Sequence, residues 1–395
     1  MIGDVPLHSI TDLLRALVRI PSRADEDDLD QVCLHLEDWF RDRRVPVRVL
    51  TAKSGQRLGI YVEAAGKTTA GPWTVLNGTL DTAGFGDPSA WTFDPTRAEI
   101  DDGWIHGRGS ADSKAAVSVF SHLIIELLAQ PDFAGRVGVL FDCDEHSGRF
   151  GGARAFFDQV HGEDGLPRPD GVLIGYPGMD RIVNGCRGFL RSKLTVHGIA
   201  AHSGSSRQRG INAISRAADL TRQLESLPVP PATEAFPLTP QFTVTGMQGG
   251  GQTFTQVPDL CEIRLDVRLT PSFSLDEARR AIEETVTRFD AESPQTGATD
   301  IEWFGGWPAY QLPPTHPLVL ALREASHDEL NVYLPTAVVG PSNIGNYLAS
   351  LGVPALCGFG VEAEGIHAAN ERIALASIEP VYRIYRNALS RLHRP

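Results

Sequence analysis

The chain has 395 residues, with 49 acidic against 36 basic side chains and a formal net charge of −13. That length exceeds one ordinary hydrophobic core and predicts two domains with a cleft between them. The acidic surplus would repel phosphate backbones, and no run of Lys and Arg with interleaved aromatics offsets it, so nucleic-acid binding is not expected.

The five cysteines, Cys33, Cys143, Cys186, Cys261 and Cys357, form no C-x-x-C pair and lie mostly in apolar segments. They read as reduced, buried thiols. No charged leader precedes an apolar stretch at the N-terminus and no apolar run reaches membrane-spanning length. The expectation is a soluble cytoplasmic protein without a membrane partner.

In chain order, Ser9 or Thr11 is expected to cap a helix carrying Leu13, Leu14, Leu17 and Val18, ended by Pro21. A second helix is expected from about Glu26 to Arg43, followed by strands at Val47 to Thr51, Gly59 to Ala64 and Trp73 to Leu80. This alternation indicates a layered α/β domain. The stretch W-I-H-G-R-G-S-A-D-S-K-A-A-V, residues 104–117, then brackets Arg108 with two glycines and sets Asp112 at a loop-to-helix junction. Alone, Asp112 would read as a helix cap.

The near-continuous apolar strand at 136–145, R-V-G-V-L-F-D-C-D-E, delivers Asp144, Glu145 and His146, and the strand at 171–177 delivers Tyr176. In open α/β sheets, ligands bind beyond strand ends, so these groups are expected to converge. From about Phe189 the order becomes strand, helix, strand, strand, helix, strand as far as Phe304, a β-α-β-β-α-β ferredoxin-like insert. Further helices and strands follow the Pro-rich 308–317 segment, ending in an amphipathic helix from Ile378 to Leu392. The expected domains are 1–188 and 306–395 for one discontinuous catalytic domain, with 189–305 inserted.

The succession L-N-G-T-L-D-T, W-T-F-D-P, G-R-G-S-A-D-S-K, D-E-H-S-G-R-F-G-G, A-A-H-S-G-S-S-R and G-I-H-A-A-N-E-R spans nearly the whole chain. It resembles the co-catalytic zinc hydrolases that include acetylornithine deacetylase, succinyl-diaminopimelate desuccinylase, aminoacylases and glutamate carboxypeptidases. The resemblance implies a zinc-peptidase-like α/β/α catalytic domain with an inserted ferredoxin-like lid that dimerises.

The family's metal ligands carry over unevenly. Its first zinc-binding His falls on Thr79, while the following Asp81 is retained. The bridging carboxylate matches Asp112, the general base Glu145, and the last ligand His367. The ligand Glu beside the base is His146, and the carboxylate ordinarily before a Pro is Tyr176. One family zinc therefore loses two of three ligands, whereas Asp112, His146 and His367 leave a reasonable three-ligand site for one divalent metal, expected to be zinc.

The resemblance further implies a catalytic role for Asp81, by orienting a ligand imidazole. It also implies an oxyanion-stabilising His202, an Arg268 that grips a substrate carboxylate, and a cis peptide at Asp112–Ser113. The family's Asn before V-P-D falls on Thr255, which alters the substrate contacts there. Tyr176 reads either as a space-filling aromatic or as a substrate-contacting hydroxyl, and His146 either as a ligand or as an ordinary strand-end residue. The leading function is a metal-dependent amide hydrolase for a small carboxylate-bearing N-acyl or peptide substrate. The alternatives are metal-free lyase, cyclase or acyl-transfer chemistry on the same fold, or a non-catalytic binding homologue.

Overall fold

The computed structural model describes residues 4–159, 165, 167–207 and 209–394. The chain divides into two compact units: Met1–Gly185 with Leu312–Ala337 and Asn343–Pro395, and Cys186–Gln311 with Val338–Ser342.

In the first unit a six-stranded sheet runs in the order Arg48–Thr51, Arg57–Ala65, Ala134–Asp142, Thr68–Thr79, Gly171–Ile174, Ala355–Leu356. The last four are mutually parallel, with Thr79 opposite Asp142 and Asn77 opposite Ile174. Their C-terminal ends therefore share one edge, and the loops leaving it carry residues 80–82, 143–150 and 175–178. Strand Ala134–Asp142 is buried along almost its whole length, as expected of a strand with neighbours on both sides. Helices Leu7–Val18, Ala115–Ala129 and Ile378–Leu392 contribute Leu14, Phe120 and Tyr385 to the same core as Val137 and Phe141.

The N-terminal helix begins one turn earlier than expected. Its N-cap is Pro6, not Ser9 or Thr11. Thr11 instead bonds back to the Leu7 carbonyl at 2.8 Å, and the Ser9 hydroxyl pairs with His122 at 2.8 Å. A tertiary partner has displaced a capping role that local sequence suggested. The second helix starts at Leu29, capped by Asp28, rather than near Glu26.

The second unit is a four-stranded antiparallel sheet ordered Gln241–Gly249, Leu260–Leu269, Gly188–His197, Asp300–Trp307. Helices Ala213–Glu225 and Leu275–Ala291 complete a β-α-β-β-α-β succession. Each contributes to one apolar cluster with the sheet, through Leu220, Leu224, Ile282 and Phe289 against Leu194, Ile263 and Val267. The second helix opens on a capping box between Ser274 and Glu277. All five cysteines are buried free thiols. Among the described residues no helix is long and apolar enough to cross a membrane.

His122 generates a pH prediction. Burial pushes its imidazole down from 6.5 to about 4, against the raising effect of the Ser118 carbonyl and with a small contribution from Arg43. The unfolded ring takes up a proton near pH 6.5 while the folded ring resists it, so stability is retained above 6.5 and lost as pH falls towards 4. In urea titrations, His122→Gln is expected to flatten that loss by up to about 3 kcal/mol, the free-energy equivalent of the shift. Equal slopes for parent and variant would refute the assignment.

Candidate active site

The site grows from the loop 107–114. Gly107 and Gly109 take φ of 146° and 80°, in the range favouring glycine. A Cβ on them would meet Val18 and Thr82 at 2.4 Å, so the chain reverses tightly around Arg108. Asp112 follows with φ −117° and ψ 91°, outside the helical region, and it makes no capping bond to the helix that starts at Ala115. The peptide Asp112–Ser113 is cis. Asp112 is free of a capping task, and its carboxylate faces histidines instead.

His367 Nε2 lies 2.8 Å from Asp112 Oδ2, and His146 Nε2 lies 3.5 Å from the same oxygen. The two imidazole centroids are 5.2 Å apart. One donor atom from each of Asp112, His146 and His367 falls within 4.8 Å of the others. Glu145 Oε2 is 3.5 Å from His146 Nδ1.

Asp81, fully buried, sits behind this group. It accepts the backbone N–H of Glu145 at 3.1 Å and of His146 at 2.8 Å, and its Oδ2 is 3.4 Å from His146 Nδ1. Thr79, where the family places a histidine, donates its hydroxyl to Asp81. Tyr176 is half-buried and close enough to Asp112 to feel its charge.

Three carboxylates around two imidazoles shift one another. Burial would raise Asp112, but His146 and His367 hold it well below the usual carboxylate range. Burial likewise opposes the ionised form of Asp81, and His146 with the hydroxyl of Thr79 prevails in lowering it. Glu145 is pushed up to about 8 by burial, with Asp112, Asp81 and Asp142 adding and His146 opposing. Against its burial, Asp112 and Asp81 raise the affinity of His146 for a proton. Burial first, then the charges of Asp112, Glu145 and Glu371, raises Tyr176.

The cluster therefore has an electrostatic demand for positive charge. Both ring nitrogens of His146 are buried without a hydrogen-bond partner. Two imidazoles and a carboxylate, with those nitrogens uncommitted, fit a divalent ion.

Two further residues support the site, and the sequence reading assigns them no role. Glu371 accepts the backbone N–H groups of Ala111 at 2.9 Å and Asp112 at 3.3 Å. Arg108 donates to Glu371 at 2.5 Å and to the Ala368 carbonyl at 2.9 Å. The visible signals were the paired glycines around Arg108 and an acid four residues after His367. A third, Asp142, is buried and accepts the N–H groups of Asp144, Gly152 and Ala153, joining the turn at 144–150 to the helix Gly151–Phe157.

His202 and Arg268 belong to the second unit. His202 is exposed on a short strand paired with Gln256–Val257, and its Nδ1 accepts the Gly204 N–H at 3.1 Å. Thr255 lies beside it, its carbonyl accepting the Ser203 N–H at 2.7 Å. Arg268 pairs with Asp266 at 2.7 Å and reaches the Ser342 hydroxyl at 3.4 Å. Arg187 contacts the Gly340 carbonyl in the same place, and Ser342 donates to the Arg187 carbonyl at 2.7 Å. Burial, then the neighbouring Arg268, lowers the Arg187 pKa. Arg191 also pairs with Asp266, at 3.4 Å, and guanidiniums gathered around one carboxylate would welcome a further anion.

Residues 75–391 match the family described as Peptidase family M20/M25/M40. A succinyl-diaminopimelate desuccinylase of Bordetella petrii is 27% identical over 390 residues, covering 97% of both chains. An M20 family metallo-carboxypeptidase from Sulfolobus solfataricus superposes with a TM-score of 0.81 at 18% identity, over 97% of this chain and 99% of its own. A dinuclear metal-binding M20 peptidase from Bacillus subtilis gives 0.69 at 14% identity, over 97% of each chain. With motifs, fold and family profile in agreement, the chain belongs to peptidase family M20/M25/M40 and is a hydrolase of the divalent-metal type.

Proposed function

We propose that this hydrolase cleaves an N-acyl or peptide bond of a small substrate bearing a carboxylate, using a single divalent ion, zinc by the chemistry of the ligands. The observation that carries the reading is the meeting of Asp112, His146 and His367 donor atoms within 4.8 Å, with Glu145 beside them. A divalent ion held there would polarise the scissile carbonyl and acidify a water molecule.

Glu145 takes the proton of the attacking water and returns it to the leaving nitrogen; its raised affinity for a proton suits an acceptor that must hold it between the two steps. Asp81 acts through position, by fixing the backbone of Glu145 and His146 and facing the His146 ring. Tyr176 stands at the position of a family carboxylate ligand, beside Asp112, and Thr79 spends its hydroxyl on Asp81. These replacements support one ion rather than two.

The roles of His202 as oxyanion donor and Arg268 as carboxylate grip rest on the resemblance. The pairing of Arg191 and Arg268 with Asp266, with Arg187 near Arg268, supports the second, and the name of the Bordetella relative agrees with a substrate that carries carboxylates. We assign the second unit the part of a lid and dimerisation domain. The strand Gln241–Gly249, last in its sheet and carrying a half-exposed Met247, is suited to pairing with a second copy. Five reduced thiols agree with a cytoplasmic setting.

Metal analysis of the purified protein is expected to find about one zinc per chain, the count for one three-ligand site, with turnover of N-succinyl and N-acetyl amino acids lost to chelator. Glu145→Gln should keep the ion and lose roughly 10²–10⁴-fold in kcat, the range for removing a general base. Chelator-resistant turnover would instead establish metal-free chemistry. In a second test, Thr79→His with Tyr176→Glu should raise the ion count to about two, the number of complete ligand sets then present. A parent protein already holding two ions would overturn the single-ion reading.

A further inference from the structure

His367 is presented by a loop with no regular structure of its own between the short strands Ala363–Glu364 and Arg372–Ala374. Within six residues Gly365, His367 and Asn370 take φ of 68°, 59° and 64°. Side chains other than glycine hold that conformation at a cost, and it persists where surrounding contacts over-determine it. Asn370 is held by Thr92 and Ala90, and the backbone just after His367 by the loop that bears Asp112.

Four bonds join the two loops through one ion pair. Glu371 Oε1 accepts the N–H groups of Ala111 and Asp112, at 2.9 and 3.3 Å, and Glu371 Oε2 accepts Arg108 Nη1 at 2.5 Å. Arg108 Nη2 continues to the carbonyl of Ala368, the residue directly after His367, at 2.9 Å. A fifth bond, from the Gly107 N–H to the Glu371 carbonyl at 2.9 Å, runs between the backbones. The backbone beside each proposed ligand is thus pinned by the same two side chains. Their side chains are 2% and 1% exposed.

A pair so deeply buried repays little of its desolvation, and well-packed apolar residues would serve stability as well or better. What apolar residues cannot supply is direction. A guanidinium has donors in a rigid fork, and here one arm serves the carboxylate and the other a carbonyl of the opposite loop.

We propose that Arg108 and Glu371 are positioning residues that set the spacing of Asp112 and His367, and with it the affinity of the site for its ion. This rests on the reading of Asp112, His146 and His367 as a metal site. Neither residue touches substrate or ion. Their action is through the placement of two ligands, one on either side of a buried clasp.

The test is titration of chelator-stripped protein with zinc against a competing chromophoric chelator, for the parent, Glu371→Gln, Arg108→Met and the double variant Arg108→Met/Glu371→Met. Each variant is expected to bind zinc roughly 10- to 100-fold more weakly, the usual effect of removing a group that orients a ligand. The double variant should recover denaturant resistance relative to Arg108→Met without recovering affinity. Leu389→Ala, in the C-terminal helix, serves as a control that loses stability and keeps the parent affinity. Should Arg108→Met fail to fold, Glu371→Gln, which preserves shape, carries the test alone. Parent-like zinc affinity in Glu371→Gln or in the double variant overturns the proposal. A parent protein that binds no zinc overturns the underlying metal-site reading instead, so the two failures are distinguishable.

Discussion

The Asp112 carboxylate, buried between the imidazoles of His146 and His367, is the constraint to which the rest of the first unit answers. A negative charge taken out of water must be compensated, and Asp81 and Glu145 lie close enough to deepen the demand. The sheet meets the geometric half of that requirement. Its parallel strands end together, so loops far apart in sequence open at one edge. The electrostatic half is met by histidines that face the carboxylates, by the Thr79 hydroxyl on Asp81, and in the proposed reading by a cation.

Two of the departures from the family pattern, Thr79 and Tyr176, share a physical logic. A buried polar group that loses its former partner has to find another or pay for its isolation. Thr79 gives its hydroxyl to Asp81, and Tyr176 lies within reach of the charge of Asp112. In both cases the new side chain stands near a carboxylate the family pattern retains. Asp81 in turn grips the two amides of the Glu145–His146 turn. A site altered at three ligand positions, Thr79, His146 and Tyr176, is therefore rebuilt around the three proposed ligands.

Much of this was legible from residues. The apolar run at 136–142 announced a strand with neighbours on both sides, and the fork of glycines around Arg108 announced a tight reversal before a helix. Leu260–Leu269 alternates buried and exposed side chains as a sheet with one covered face requires. The N-terminal cap was misread because Ser9 is engaged by His122, 113 residues away, and nothing near Ser9 reveals that partner. Arg187 carries no local signal for a similar reason. Its significance depends on Arg268 and on the segment Val338–Ser342, which returns to the second unit after a long excursion.

Sequence alone determined the order of helices and strands, the family, and which positions had exchanged one ligand chemistry for another. These are written in local periodicity and in motifs a few residues long. Tertiary structure decided that one donor atom each from Asp112, His146 and His367 lies within 4.8 Å of the others, that Asp81 serves as the anchor of a turn, and that Arg108 and Glu371 clasp the two loops. The reason is separation: the clasp joins residues 263 positions apart, and a buried ion pair leaves no periodic trace in either of the segments it unites.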